Sequence, residues 1–524
     1  MGREQWMRDI LGRRREEGTF RELRTPEKDL CFVDFTSNDY LGLGRAADLR
    51  QAVEAEARRA REETAERRRR QRPAWKETDA NTTTNSNVVR NSSGSVDETA
   101  GGFPIVGSGG SRLLSGNSWY AEELEDWIAR FHNRPAALLF NSGYDANLGL
   151  MSCLPQPGDV VVCDELVHNS VRMGCRMGRQ EETVSFRHND VRHLDDTLTA
   201  IRAKRAGSAR AAPTPSPTPP VRAAAGEATA AAAAAPFNVF VAVESVYSMD
   251  GDLAPLTEIL RVAGAHGALV IVDEAHATGV FGEEGRGLVS SLGLEAHPAL
   301  LVGMHSFGKA LGAHGAVVVG SATLKHFLVN YARPLIYSTS LPLDSLACIR
   351  CAYLMQASAE DRRRRVLGLA DTFQSFLQRV DTSRHQTSGG GTAESVGGDA
   401  PPLHPNDVPR HRSPIQSVLV PGNERSLFVA ESLRALGFDV RAIRKPTVAE
   451  GTERLRITLH AYNTDLEVET LARHIRRLAA NGKGPIATAS DGAAAASEEG
   501  HTRSRTGSTG VWMPLGTSLT RARL

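Results

Sequence analysis

The chain has 524 residues, and its 62 Lys plus Arg against 61 Asp plus Glu leave a formal net charge of +1. That balance excludes a general attraction to nucleic acid or to an anionic membrane and places function in local sites. No apolar run approaches the ~18 to 20 residues of a membrane span, and the start MGREQWMRDILGRRREEG lacks the apolar core of a secretory signal.

In chain order, an N-terminal segment (1–58) leads into a low-complexity stretch (59–100) that opens with the Arg/Glu run RRAREETAERRRRQR and continues in Asn, Thr and Ser. The region 101–345 then alternates short apolar runs with amphipathic stretches. The runs are 136–140, 159–164, 183–188, 238–245, 268–276, 300–306 and 316–320, seven expected strands. Several are apolar on both faces, as in a parallel sheet covered by helices. Helical segments such as AEELEDWIARFH and PLTEILRVAGAHG lie between them, which makes this an α/β domain. An Ala/Pro/Thr-rich insertion falls at 204–235. The pattern changes after 345 to a smaller α+β domain at 346–483, interrupted at 383–412, and a polar tail runs from 484 to 524. Such biased segments bury too little apolar surface to offset their ordering entropy.

The six cysteines are scattered, which suits free thiols in a reducing compartment. Cys348 and Cys351 form a CxxC in a helical context without a second pair at zinc spacing, so no metal is expected. The chain ends in Ala522-Arg523-Leu524, the small-basic-Leu pattern of a peroxisomal address, with a cytosolic location as the alternative.

In a sheet of this kind, ligands sit outside the carboxyl ends of the strands. Polar residues follow the runs at that rim: Asn141-Ser142-Gly143-Tyr144, His168, Glu244 and Ser248, Asp273 and His276, and Lys309. Singly, each has a plain structural reading as a cap, a turn or a satisfied histidine. Together, a lysine, a carboxylate, two imidazoles and a phosphate cradle are what binding pyridoxal phosphate requires.

The motifs FTSNDYLGL (35–43), GSGGSRLLSG (107–116), FNSGYDAN (140–147), DELVHNS (164–170), ESVYSMDGDLAPL (244–256), VDEAHATGVFGEEGRG (272–287), SFGKALG (306–312), YARPLIYSTSLP (331–342) and IRKPTVAEGTERLRITLH (443–460) run in one order. In that order the chain resembles the α-oxoamine synthases, pyridoxal-phosphate enzymes that condense an amino acid with an acyl thioester, and most closely their biotin-synthesis branch. The resemblance implies a fold-type I transferase with a mainly parallel seven-stranded sheet and a smaller C-terminal α+β domain. It implies Lys309 as the lysine bonded to the cofactor, Asp273 at the pyridine nitrogen, His168 on the ring face, and His276 and Ser248 near the phenolic oxygen. Gly143, Tyr144 and Ser306 match phosphate positions. Arg456 matches the residue holding the amino-acid carboxylate, Arg21 and Thr447 match acyl-substrate positions, and Asn38 and Glu244 lie in motifs that line the pocket.

The resemblance further implies a homodimer whose YSTS segment (337–340) reaches the neighbour's cofactor, and L-alanine with a pimeloyl thioester as substrates. Ala310-Leu311 stand where that branch often has Gly-Phe, and Ala277 replaces a frequent glycine. A sister synthase using glycine or serine is therefore the first alternative. A catalytically silent partner subunit is the second, and Lys309 counts against it.

Overall fold

The computed structural model describes residues 4–17, 19–21, 23, 32–70, 107–211, 237–378 and 412–480. All of them belong to one compact unit, Met1–Gly484. The expected tail and its Ala522-Arg523-Leu524 address lie outside the described residues, as do most of the three insertions.

Seven strands make the main sheet: β1 (Ala136–Phe140), β2 (Val160–Asp164), β3 (Glu182–Phe186), β4 (Val239–Glu244), β5 (Leu269–Asp273), β6 (Leu300–Ser306) and β7 (Ala316–Gly320). Their order is β1-β7-β6-β5-β4-β2-β3. Neighbours from β6 to β3 pair in parallel, whereas β7 is antiparallel to both β6 and β1. Both faces are buried, which is why the strands read as unbroken apolar runs. In β2, Val160 and Val162 enter one hydrophobic cluster while Val161 and Cys163 enter another, and all four are nearly inaccessible. Each such fully buried branched side chain contributes roughly 1.5–3 kcal/mol.

The strand expected at 268–276 stops at Asp273. There the Asp273 carboxylate turns back to accept the Ala275 N–H at 2.9 Å, which caps the strand and starts a turn.

A charge run of this kind reads most simply as a solvated helix extension, and the Arg/Glu run at 59, where the low-complexity stretch was expected to begin, is helical as far as Arg70, within helix Ala47–Arg70. Ala60 is fully buried, and Glu63 pairs with both Arg59 and Arg67 one turn away on either side. Local ion pairs and one packed face sustain the helix where composition alone suggested a solvated extension.

A second sheet of three antiparallel strands, β8 (Ile415–Leu419), β9 (Arg441–Ile443) and β10 (Arg454–Thr458), has the order β9-β10-β8. Its alternation sorts the side chains: Val418, Leu455 and Ile457 are buried in the core, while Arg454 and Arg456 share the opposite face. The loop 248–252 runs along that polar face. Arg456 Nε donates to the Ser248 carbonyl at 2.6 Å, Ser417 Oγ donates to Asp250 at 3.3 Å, and Arg454 pairs with Asp250. Gly251, at φ +79°, passes so close that an added Cβ would lie 2.0 Å from the Ile415 carbonyl oxygen. Only glycine permits that approach.

Candidate active site

The carboxyl ends of β4, β5 and β6 meet the polar face of the small sheet around a cavity of about 350 Å³. Its lining includes Asn38, Gly143, Tyr144, His168, Glu244, Ser248, Asp273, His276, Ser306, Lys309 and Arg456. Two residues expected at the substrate, Arg21 and Thr447, are not in this lining. They are exposed and hydrogen-bonded to each other at 3.3 Å.

Strand register sets the floor. Glu244 and Asp273 end adjacent strands and are direct pairing partners, so two carboxyl groups stand side by side. Asp273 accepts from Asn147 Nδ2 at 2.7 Å, and the same amide nitrogen donates to Ser170 Oγ at 3.0 Å. Ser170 Oγ in turn lies 2.7 Å from His168 Nδ1, which fixes the imidazole. Glu244 has an Oε1 without a hydrogen-bond partner. Burial drives its pKa well above the ordinary carboxyl value, and the neighbouring Asp273 charge adds to this against the pull of Lys309 and two backbone N–H groups. Burial and the Asp273 charge thus both shift Glu244 toward its protonated form.

Burial lowers the Lys309 pKa, with the Arg456 charge adding to it and Asp273 and Glu244 opposing. The free amine is favoured, as a lysine that must accept protons requires. Burial also drives His276 well below the usual imidazole value, assisted by the charges of Lys309, Arg456 and His168. His276 Nδ1 lies 2.6 Å from the Tyr40 hydroxyl, whose own pKa burial pushes up to about 12. Tyr40 also donates to Asn38 Oδ1 at 3.2 Å, and Arg456 Nη2 reaches the same oxygen at 3.0 Å. Arg456 is thereby oriented at three nitrogens, by Ser248, Asn38 and Thr458.

Helix Gly143–Cys153 begins at this rim, with Ser142 Oγ as its cap accepting the Asp145 N–H at 3.0 Å. A Cβ on Gly143 would sit 3.4 Å from the Ser306 side chain. The glycine keeps open a space bounded by helix N–H groups and a hydroxyl, which suits a phosphate.

The aminotransferase class I and II family model matches residues 32–475. The chain is 40% identical to the 8-amino-7-oxononanoate synthase of Emericella nidulans, over 71% of this chain and 81% of that protein. It belongs to that family. More narrowly, it is an α-oxoamine synthase-like, pyridoxal-phosphate-dependent acyltransferase. The 8-amino-7-oxononanoate synthase of Geobacter sulfurreducens is 36% identical over 71% of this chain and 81% of its own length. Among solved structures, a Sphingomonas wittichii serine palmitoyltransferase aligns with TM-score 0.60 at 25% identity, over 85% of this chain and 87% of that one. The sheet observed here is thus the mainly parallel one expected for a fold-type I transferase.

The side chains of this α-oxoamine synthase-like enzyme fit its cofactor: a buried amine, a strand-end carboxylate, an imidazole and a helix N-terminus line one cavity. Ala310, Leu311 and Ala277, the departures from the biotin branch, are buried in hydrophobic clusters and do not line the cavity. Tyr337 of the YSTS segment is 81% exposed and also lies outside the cavity. Its neighbour Ser340 donates to the Gly116 carbonyl at 2.7 Å, which ties the segment to the glycine-rich loop.

Several lining residues had a weaker signal or none in the sequence. Asn147, which lines the cavity, and Tyr40, which backs His276 without lining it, lay inside motifs without being singled out, because an Asn or a Tyr in a motif says nothing of its partner 126 or 236 residues away. Arg441 and Ile443 of β9 also line the cavity. Arg441 lay outside every motif.

Beside the site, His188 bridges two carboxylates, with Nδ1 3.0 Å from Asp164 and Nε2 2.6 Å from Asp252. Asp252 closes the loop that carries Ser248, so this bridge holds one end of the cavity wall. Burial lowers the His188 pKa, but the hydrogen bonds and charges of the two aspartates outweigh it and raise it to about 10. A folded value above the unfolded ~6.5 stabilises the protein fully below that pH, and the contribution is lost as pH rises through the folded value. Thermal unfolding of wild type and His188→Gln should therefore differ most near pH 6 and converge by about pH 10. A difference that stays constant over this window would show that the imidazolium is not the stabilising form.

Proposed function

We propose that this enzyme joins L-alanine to a pimeloyl thioester with loss of carbon dioxide and the thiol, forming 8-amino-7-oxononanoate. The observation that carries the reading is one cavity lined by both Lys309 and Arg456, combined with relatives of that name at 36–40% identity. The proposed assembly is a homodimer, for which the exposed Tyr337 segment beside the glycine-rich loop is a suitable contact.

When bound, pyridoxal phosphate supplies an electron sink for charge that develops at the amino acid's Cα. Asp273 would hold a proton at its ring nitrogen, Gly143, Tyr144 and Ser306 would hold its phosphate, and His276 and Ser248 would serve its phenolic oxygen. His168, fixed through Ser170, would pack on the ring. Arg456 takes the amino-acid carboxylate, and its three bonds to Ser248, Asn38 and Thr458 set its orientation before substrate arrives. Lys309 would hold the cofactor covalently and, once released because the amino acid's own nitrogen takes over that bond, would as a free amine take the Cα proton. Neutral His276, backed by Tyr40, donates or accepts one hydrogen bond without adding charge.

The test is a matrix of alanine, glycine and serine against pimeloyl, acetyl, succinyl and palmitoyl thioesters. Alanine with pimeloyl should give the highest kcat/KM. A higher value for glycine with a short acyl group, or for serine with palmitoyl, would replace the biotin reading by a sister synthase and leave the reaction class intact.

A further inference from the structure

The cationic residues lining the cavity, among the described residues, are Lys309, Arg456 and Arg441. The first two have roles in the reaction above, and the third has none. Arg441 is the direct cross-strand partner of Arg456 in the antiparallel pair β9–β10. Directly opposed residues share a sheet face with Cβ atoms roughly 4.5–5.5 Å apart, where like charges repel unless something anionic joins them. Arg456 is occupied by Ser248, Asn38 and Thr458.

Arg441 has one loose tether, Nη2 to Asp439 Oδ2 at 3.4 Å, and Asp439 already takes a stronger bond from Arg434 at 2.7 Å. With its side chain 37% exposed, Arg441 keeps donors available toward the cavity. Ile443, two residues along on the same face, also lines the cavity and extends an apolar surface beside it. An apolar stretch and then a guanidinium is the complement of an acyl chain that ends in a carboxylate. Arg21, expected for this role from family resemblance, is instead exposed, bonded to Thr447 and absent from the lining.

We propose that Arg441 selects acyl thioesters that carry a carboxylate at the far end, pairing with it while Arg456 holds the amino acid's carboxylate. The planar fork of donors suits bidentate carboxylate recognition. The proposal rests on the pimeloyl reading above and adds to it the residue that distinguishes pimeloyl from a plain chain of equal length.

The experiment compares kcat/KM for pimeloyl and heptanoyl coenzyme A thioesters, with alanine, in wild type, Arg441→Gln, Arg441→Lys and Arg21→Gln. Retained cofactor absorbance reports folding in each variant. The pimeloyl-to-heptanoyl ratio should fall roughly 10- to 100-fold in Arg441→Gln, the loss expected when a charge-assisted hydrogen bond is removed. Arg441→Lys should lie between, because it keeps the charge and loses the fork; if the Gln variant does not fold, the Lys variant carries the test. A ratio that stays at the wild-type value in both, or that falls in Arg21→Gln instead, overturns the proposal while the pimeloyl reading stands. A wild type that prefers heptanoyl overturns both.

Discussion

Replacing Lys309 with Ala should lower turnover by at least ~10³-fold, in the range expected when a general base that also bonds the cofactor is removed. The amine stands at the strand-end rim with Asp273 and Glu244 as neighbours, and burial holds its pKa below the ordinary lysine value. No nearby group replaces it. His276 is driven well below the usual imidazole range and its Nδ1 is engaged with Tyr40, and burial shifts Glu244 toward its protonated form. Borohydride reduction of the wild type followed by peptide mapping should find the phosphopyridoxyl group on Lys309, and the variant should show none while binding cofactor non-covalently. Wild-type-like turnover in Lys309→Ala, or the label on another lysine, would remove Lys309 from the mechanism.

Asp273→Asn should be nearly isosteric and yet lower kcat by about 10² to 10⁴-fold, the scale attached to a group that controls a proton in the transition state. The carboxylate is held by Asn147 Nδ2 at 2.7 Å and by the Ala275 N–H at 2.9 Å, so its position is set before any cofactor arrives. In the variant an amide cannot keep a proton on the ring nitrogen, and the electron sink weakens. The same change removes a negative charge that raises the Lys309 pKa. The free Lys309 amine of the cofactor-free variant should therefore titrate lower still, visible as an acid shift in the pH dependence of its labelling by an amine-reactive reagent. Asp273→Glu keeps the charge and misplaces it, so partial activity is expected there. An Asn variant with unchanged kcat would show that this carboxylate only caps its strand.

Much of the fold was legible because apolar runs mark buried strands. The runs 136–140, 300–306 and 316–320 coincide with β1, β6 and β7 to the residue. Strand direction was not legible: AVVVG reads the same whether parallel or, as in β7, antiparallel to both neighbours, since hydrophobicity carries no polarity along the chain. For the Arg/Glu run after 59 a helical extension was legible, but the burial of Ala60 on its packed face was not, because charge content reports solvation and not packing.

At the site, the sequence by itself determined that Lys309, Asp273, Glu244 and His168 share one rim, because they lie at or just beyond strand ends and strand ends share a rim in any sheet of this class. What only the tertiary structure decided was how residues far apart in the chain meet. The Tyr40–His276 contact and the Asn147–Asp273 bond join segments separated by 236 and 126 residues. The tertiary structure also drew Arg21 and Thr447 together outside the cavity and set Arg441 opposite Arg456 at its wall. Those placements depend on strand register and on the packing of two sheets about the loop 248–252, and register is a property of paired segments that neither segment carries alone.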